Sequence, residues 1–304
     1  MQWGQIKTLL IASFLILNIY LFIQFMEKKE EADIGILEQH TSSIEEQLRD
    51  DGITYGELPD EEYEETFISV EQYEFTEEEL KKERKTKDQS STIIQQYLIV
   101  SKLDERLTIS EKVTEEQLMN AFSQLVYYSD EYTFWNWNKD YNVLMFFQSK
   151  FDRPVYYNQN GLALLFLNDK NEVEFYTQTM LGETETLAEK RKLMKPMEAI
   201  ETLYRANELP FDSHIDHVNI GFHTRVPFET DIQVFAPIWK VQVNKDRNYF
   251  VNAIEGFIFS TDEKEFLQEV IADLADQIRV QRHKDDTLEE IYEFLTNRMD
   301  EEDN

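Results

Sequence analysis

Residues 132–147 read YTFWNWNKDYNVLMFF and residues 161–180 read GLALLFLNDKNEVEFYTQTM. These two stretches decide the fold class, because each holds two β-rich runs separated by turn residues. Thr133 to Trp137, Val143 to Phe147, Gly161 to Leu167 and Val173 to Met180 are rich in aromatic and branched side chains. Asn138-Lys139-Asp140, Asn158-Gln159-Asn160-Gly161 and Asn168-Asp169-Lys170-Asn171 lie between them. Such separators are too short for crossovers and predict an antiparallel meander.

Working outward, Glu115 to Tyr127 places Leu118, Phe122, Leu125 and Val126 on one helical face. Upstream, the alternation Phe67, Ser69, Glu71, Tyr73, Phe75 within Thr66 to Phe75 reads as a strand, and Tyr97 to Leu103 as another. The charged stretch Glu77 to Ser91 between them reads as a loop or short helix. Ile34, Leu37, Ile44 and Leu48 predict an amphipathic helix ending at Asp50-Asp51-Gly52. Downstream, Pro196 opens a helix that buries Met197, Ile200, Leu203 and Tyr204. Strands are expected at Ile215 to Val226, Ile232 to Val243 and Tyr249 to Phe259, the last two joined by Asn244 to Asn248. Glu263 to Arg282 and Thr287 to Met299 are helical by their apolar spacing. Helix followed by antiparallel strands thus occurs twice, which suggests a structural repeat.

At the N-terminus, Thr8 to Met26 carries no charge and is bounded by Lys7 and by Glu27-Lys28-Lys29-Glu30-Glu31. At about 1.5 Å per residue the run is roughly 28 Å long, enough for one bilayer crossing. It ends in Gln24-Phe25-Met26 without the small residues of a peptidase site, so it reads as an uncleaved anchor. Lys7 on one side and Lys28 and Lys29 on the other leave the charge count nearly balanced. The short leader favours a cytoplasmic N-terminus. Asn18, near the middle of the run, is the best candidate for a contact with another helix, since a buried amide gains by pairing.

The net charge is −31, and all the acidic residues follow Met26. That field repels nucleic acid and anionic lipid. The acidic runs Asp60 to Glu65 and Glu77 to Glu79 lack the spaced ligands and glycine turn of a calcium loop. With no cysteine there are no disulfides or thiolate sites. His214 and His217 fall on opposite strand faces, and His217 and His223 about 20 Å apart at about 3.3 Å per residue, so they do not share a metal ion. No nucleophile elbow, zincin motif, Walker loop or dinucleotide fingerprint occurs, and the chain reads as non-enzymatic, without cofactor or metal. Trp135 and Trp137, two residues apart on one strand, are expected to share a face. They could stack on a wall sugar or peptide, although aromatics at this period more often fill a sheet core.

The run Phe14-Leu15-Ile16-Leu17-Asn18-Ile19-Tyr20-Leu21 resembles the anchor of the YycI family. Ala236-Pro237-Ile238-Trp239-Lys240-Val241 with Tyr249 to Gly256 resembles that family's last two strands. Met197 to Tyr204 and His217 to Phe222 match it as well. The resemblance runs patchily from Trp3 to Phe259, and the hairpin is also similar to extracytoplasmic domains of the PepSY type. It implies a single-pass cell-membrane protein of a Gram-positive bacterium. Such a protein acts with a YycH-like partner on the WalK sensor histidine kinase, which controls cell-wall metabolism through WalR. Phe14, Asn18, Tyr20 and Gln24 are then the expected partner-binding residues of the span. The expected organisation is an α+β protein: a cytoplasmic tail (1–7), a transmembrane helix (8–26), a first extracytoplasmic α+β domain (27–190), a second, PepSY-like one (191–261) and a helical acidic extension (262–304).

Overall fold

The computed structural model describes residues 7, 11–15, 17–22, 24, 43–82, 89–224 and 232–302, with backbone alone at 284 and 300–302. It divides into two units, Met1–Thr54 and Tyr55–Asn304. The fold is mixed α+β, with antiparallel sheets and flanking helices.

In the first unit the described residues from 7 to 24 are helical and exposed. Among the described residues no helix is long and apolar enough to cross a membrane. Helix α1 (Ile44–Asp50) begins where the Ser43 hydroxyl accepts from the Glu46 N–H, and it stops at Gly52, whose φ of 72° suits a residue without Cβ. Leu48 is fully buried, whereas Ile34 and Leu37 of the expected amphipathic helix lie outside the described residues.

The second unit is built on an antiparallel sheet of six main strands, with the two-residue Arg153–Pro154 paired beside the end of one of them. Its strands are β2 (Gln89–Ile94), β3 (Leu98–Thr108), β4 (Tyr132–Asn138), β5 (Val143–Lys150), β6 (Leu162–Leu167) and β7 (Glu172–Gln178), in the spatial order β2-β3-β7-β6-β5-β4. The meander expected from the turn residues is therefore present. Asparagine side chains form its turns: Asn138 Oδ1 accepts from the Tyr141 N–H, and Asn168 Oδ1 from the Lys170 and Glu172 N–H groups. Asn142 and Asn171 take the left-handed φ values of 45° and 58° that asparagine tolerates. The charged stretch forms the short helix α2 (Glu77–Lys82), and its end, from Gln89, already belongs to β2.

Both sheet faces are covered, which explains why LALLFL (162–167) and VLMFF (143–147) are unbroken apolar runs. On one face Leu144, Phe146, Ala163 and Leu165 meet Leu118, Phe122 and Leu125 of α3 (Glu115–Leu125), which starts with a Thr114/Gln117 capping box. Phe122 stacks on Phe146 at 3.8 Å. On the other face Val143, Met145, Phe147, Leu164, Phe166 and Phe175 meet the two C-terminal helices. These lie at Glu263–Gln281 and Asp286–Glu302 and contribute Leu267, Ile271, Ile278, Leu288, Ile291 and Leu295.

A second antiparallel sheet precedes those helices. β1 (Ile68–Gln72), β8 (Leu181–Thr186), β9 (His214–His223), β10 (Ile232–Val243), β11 (Arg247–Asn252) and β12 (Ile258–Phe259) form it. β9, β10, β11 and β12 are successive neighbours, while β1 bridges β8 and the first four residues of β10. The buried residues of β1 are Ile68 and Val70, so its core face is the opposite parity from the one the aromatics suggested. Tyr249 to Phe259 is not one strand: Asn252 Oδ1 accepts from the N–H groups of Ile254 and Glu255, and Gly256 turns the chain at φ 74°. Helix α4 (Pro196–Arg205) buries Ala199, Ile200 and Leu203, with Met197 and Tyr204 only half-buried. Two helices follow as α5 (Glu263–Gln281) and α6 (Asp286–Glu302). The expected boundaries at 190/191 and 261/262 both fall inside the compact unit, and Ile238, Phe250 and the α5 and α6 residues share one buried cluster with the meander.

Candidate functional site

The edge strand β4 pairs only with β5, and its register slips by one residue between Phe134 and Asn136. This bulge turns Trp135 toward the α5 side and leaves Trp137 on the α3 side with Phe134. The two tryptophans therefore do not share a face, contrary to the two-residue spacing. Trp137 donates its Nε1–H to Asn142 Oδ1 at 2.9 Å. Trp135 sits 5.3 to 5.5 Å from the rings of Phe147, Tyr156 and Tyr157, and its Nε1–H donates to Glu263 Oε2 at 2.9 Å. Glu263 opens α5, where the helix N-terminus favours a carboxylate, and its Oε1 accepts from the amides of Asn136 (2.9 Å) and Asn138 (3.0 Å).

Facing Trp135 is Lys240 of β10, which pairs in register with Asn219 of β9 and Phe250 of β11. Its Nζ lies 4.7 Å from the Trp135 ring centroid and 5.6 Å from that of Tyr156. Burial pulls the Lys240 ammonium down to about 8, against a weaker opposing pull from Glu115. Among the described residues no carboxylate lies within ion-pair distance of it. Glu65, more deeply buried at 3 % exposed, is met by both Arg153 (2.6 Å) and Lys190 (3.2 Å). Tyr156 reaches Lys240 because Gly221 has no side chain: a Cβ there would clash with the Cε2–Cδ2 edge of the Tyr156 ring and lie 2.8 Å from the Pro154 carbonyl oxygen.

A cavity of about 510 Å³ opens on one side of the Trp135–Lys240 pair and borders Tyr63, Thr133, Asp152 and Asn219. A second, of about 340 Å³, opens on the other side beside Asn136, Gln242, Asn248 and Glu263. Chemically this is a ring-lined cation with amides around it, suited to binding and without a nucleophile–base pair. His214 and His217 are exposed, while His223 is buried against Phe250 and Phe259. Among the described residues no group of three or more metal-ligating side chains occurs.

The expected partner-binding residues lie apart from this site in the sequence. Phe14 and Asn18 share one stripe of the N-terminal helix with Ile11, Leu15, Ile19 and Phe22. Tyr20 lies about 200° around the helix from Asn18 at about 100° per residue, so it faces elsewhere. Asn18 Nδ2 donates to the Phe14 carbonyl at 2.9 Å, and Gln24 is helical and exposed. Lys240 escapes sequence reading because it occupies a polar position in Ile238-Trp239-Lys240-Val241-Gln242. The available signal is Gly221, an isolated glycine inside a strand pattern, which marks a close approach.

The model of the YycI protein family matches residues 32–254, most of the chain. The chain belongs to the YycI family. The YycI match contains Trp135, Tyr156, Gly221 and Lys240, and ends before Glu263 and the two C-terminal helices. No curated protein matches the sequence. Among solved structures, an uncharacterized protein from Eubacterium rectale is similar at 9% identity and a TM-score of 0.40, over 70% of this YycI chain and 92% of that one. YycH from Bacillus subtilis is similar at 13% identity and a TM-score of 0.34, over 65% of this chain and 54% of its own.

Proposed function

We propose that this YycI-family chain is a non-enzymatic membrane-anchored regulator that binds a WalK sensor histidine kinase together with a YycH-like partner. The observation that carries this reading is the family match over 32–254, joined to the uncharged run Thr8 to Met26. In this reading residues 8–26 span the cell membrane once, with the N-terminus cytoplasmic and the folded unit outside. Such a regulator acts by contacting one signalling state of the kinase more favourably than the other. A coupling of about 1 to 3 kcal/mol shifts output roughly 5 to 150 fold. The stripe of Phe14 and Asn18 is the proposed helix contact, while Tyr20 faces away from it and Gln24 lies toward the other end of the run. Asn18 keeps its Oδ1 and one N–H for a partner after bonding to the Phe14 carbonyl.

The test is co-purification of wild type and Asn18→Leu with the kinase and the YycH-like protein from solubilised membranes. Wild type is expected to retain both, and Asn18→Leu to retain less kinase. Retention of neither by wild type overturns the proposal. A second reading, a tethered module for wall polymer or peptide, is favoured only by the open cavity beside Trp135. In that case the domain from Glu31 onward binds purified wall without a partner, and Trp135→Ala weakens it.

A further inference from the structure

The cavity beside Lys240 is bordered by two strands. Thr133 to Trp135 belong to β4, the outer strand of the first sheet. Val218 to Ile220 belong to β9 and line the opposite wall. β9 is held just beyond each end of this stretch, where Ile215 O accepts from the Gly56 N–H at 3.0 Å and Phe222 O accepts from the Tyr156 N–H at 2.9 Å. Between those two bonds Val218 to Ile220 line the cavity, while across from them β4 ends the order of its sheet and offers its outer edge to an extended backbone, as in strand-addition recognition.

The side chains add a charge requirement. The Lys240 ammonium is withdrawn from water, lies over aromatic faces and has no carboxylate partner among the described residues. A half-buried cation whose attraction to Glu115 falls short of an ion pair is relieved when an anion joins it. The acidic groups that border the same cavity, Glu115 and Asp152, are exposed and would repel a ligand carrying several negative charges. The site therefore selects for one carboxylate on an otherwise uncharged chain.

We propose that this cavity binds a short extended peptide with a single carboxylate, seated on Lys240 between the Trp135 and Tyr156 rings, with the peptide backbone along the β4 edge. The proposal does not depend on the kinase reading, since it uses only the folded unit. It is tested on the full-length protein in detergent micelles by competitive acylation of lysines with an acetyl ester, read at each lysine by mass spectrometry. The probes are acetyl-Ala-Tyr-Ala with a free C-terminus, acetyl-Ala-Glu-Ala amide, the uncharged acetyl-Ala-Tyr-Ala amide, and sodium acetate, each up to about 10 mM, where weak millimolar binding registers. Either carboxylate peptide is expected to slow acylation of Lys240 several-fold while leaving the exposed lysines unchanged, with Trp135→Leu reducing that protection. Equal protection by the uncharged amide overturns the charge assignment, and equal protection by acetate overturns the peptide assignment. No protection by either carboxylate peptide overturns the proposal as a whole.

Discussion

Gly221 is the residue on which the site geometry turns. Its missing side chain lets the Tyr156 ring lie against β9, and through Tyr156 it fixes one wall of the Lys240 environment. Gly221→Ala forces a methyl into space that Tyr156 and the Pro154 carbonyl already fill. Overpacking of this kind costs about 1 to 3 kcal/mol, so thermal unfolding of the variant is expected several degrees below wild type. An unchanged midpoint would show that Tyr156 can swing aside freely. Lys240 carries the opposite balance, because its partial burial without an ion pair is tolerated rather than stabilising. Its position in a strand of alternating pattern hides this from the sequence, where a lysine reads as an outward side chain.

Among the elements, the two C-terminal helices have the largest structural role. Their apolar stripes are legible in the sequence, as Phe266, Leu267, Val270, Ile271, Leu274 and Ile278 and then Leu288, Ile291, Tyr292 and Leu295. What they cover is not, because a stripe reports that a face is buried and not against what. α5 and α6 close the Val143–Met145–Phe147 face of the meander, and Phe294 stands edge-on to the stacked Phe166 and Phe175 rings. Arg298 adds hydrogen bonds to the Tyr141 and Leu167 carbonyls at the end of the sheet. Ile291, 2 % exposed within this layer, is therefore a core residue of the first sheet. Ile291→Ala is expected to cost about 2 to 5 kcal/mol by denaturant unfolding, where a detached extension would lose almost nothing. The strands of the meander were readable for a different reason: their asparagine turns act locally. The β4 bulge was not, since one extra unpaired residue leaves no mark in a run as uniform as YTFWNWN.

For the molecule as a whole, charge is the dominant long-range force. A net charge of −31 works against compactness, and it is only locally offset by pairs such as Glu65 with Arg153 and Lys190. Raising salt from about 0.01 M to about 1 M shortens the screening length from about 30 Å to about 3 Å. The melting midpoint of the folded unit is expected to rise over that range, and a flat or falling midpoint would mean that paired charges outweigh the repulsion.

The closing of the meander by the last helices also sets an order of events. Trp135 and Glu263 are 128 residues apart, Tyr141 and Arg298 157, and Lys102 and Glu290 188. Contacts so distant along the chain form late, after the sheet residues have already left the ribosome. One face of the sheet stays uncovered until α5 and α6 have been made. A core that closes only when α5 and α6 arrive stays open to exchange and to chaperones for the whole time the sheet strands are being made.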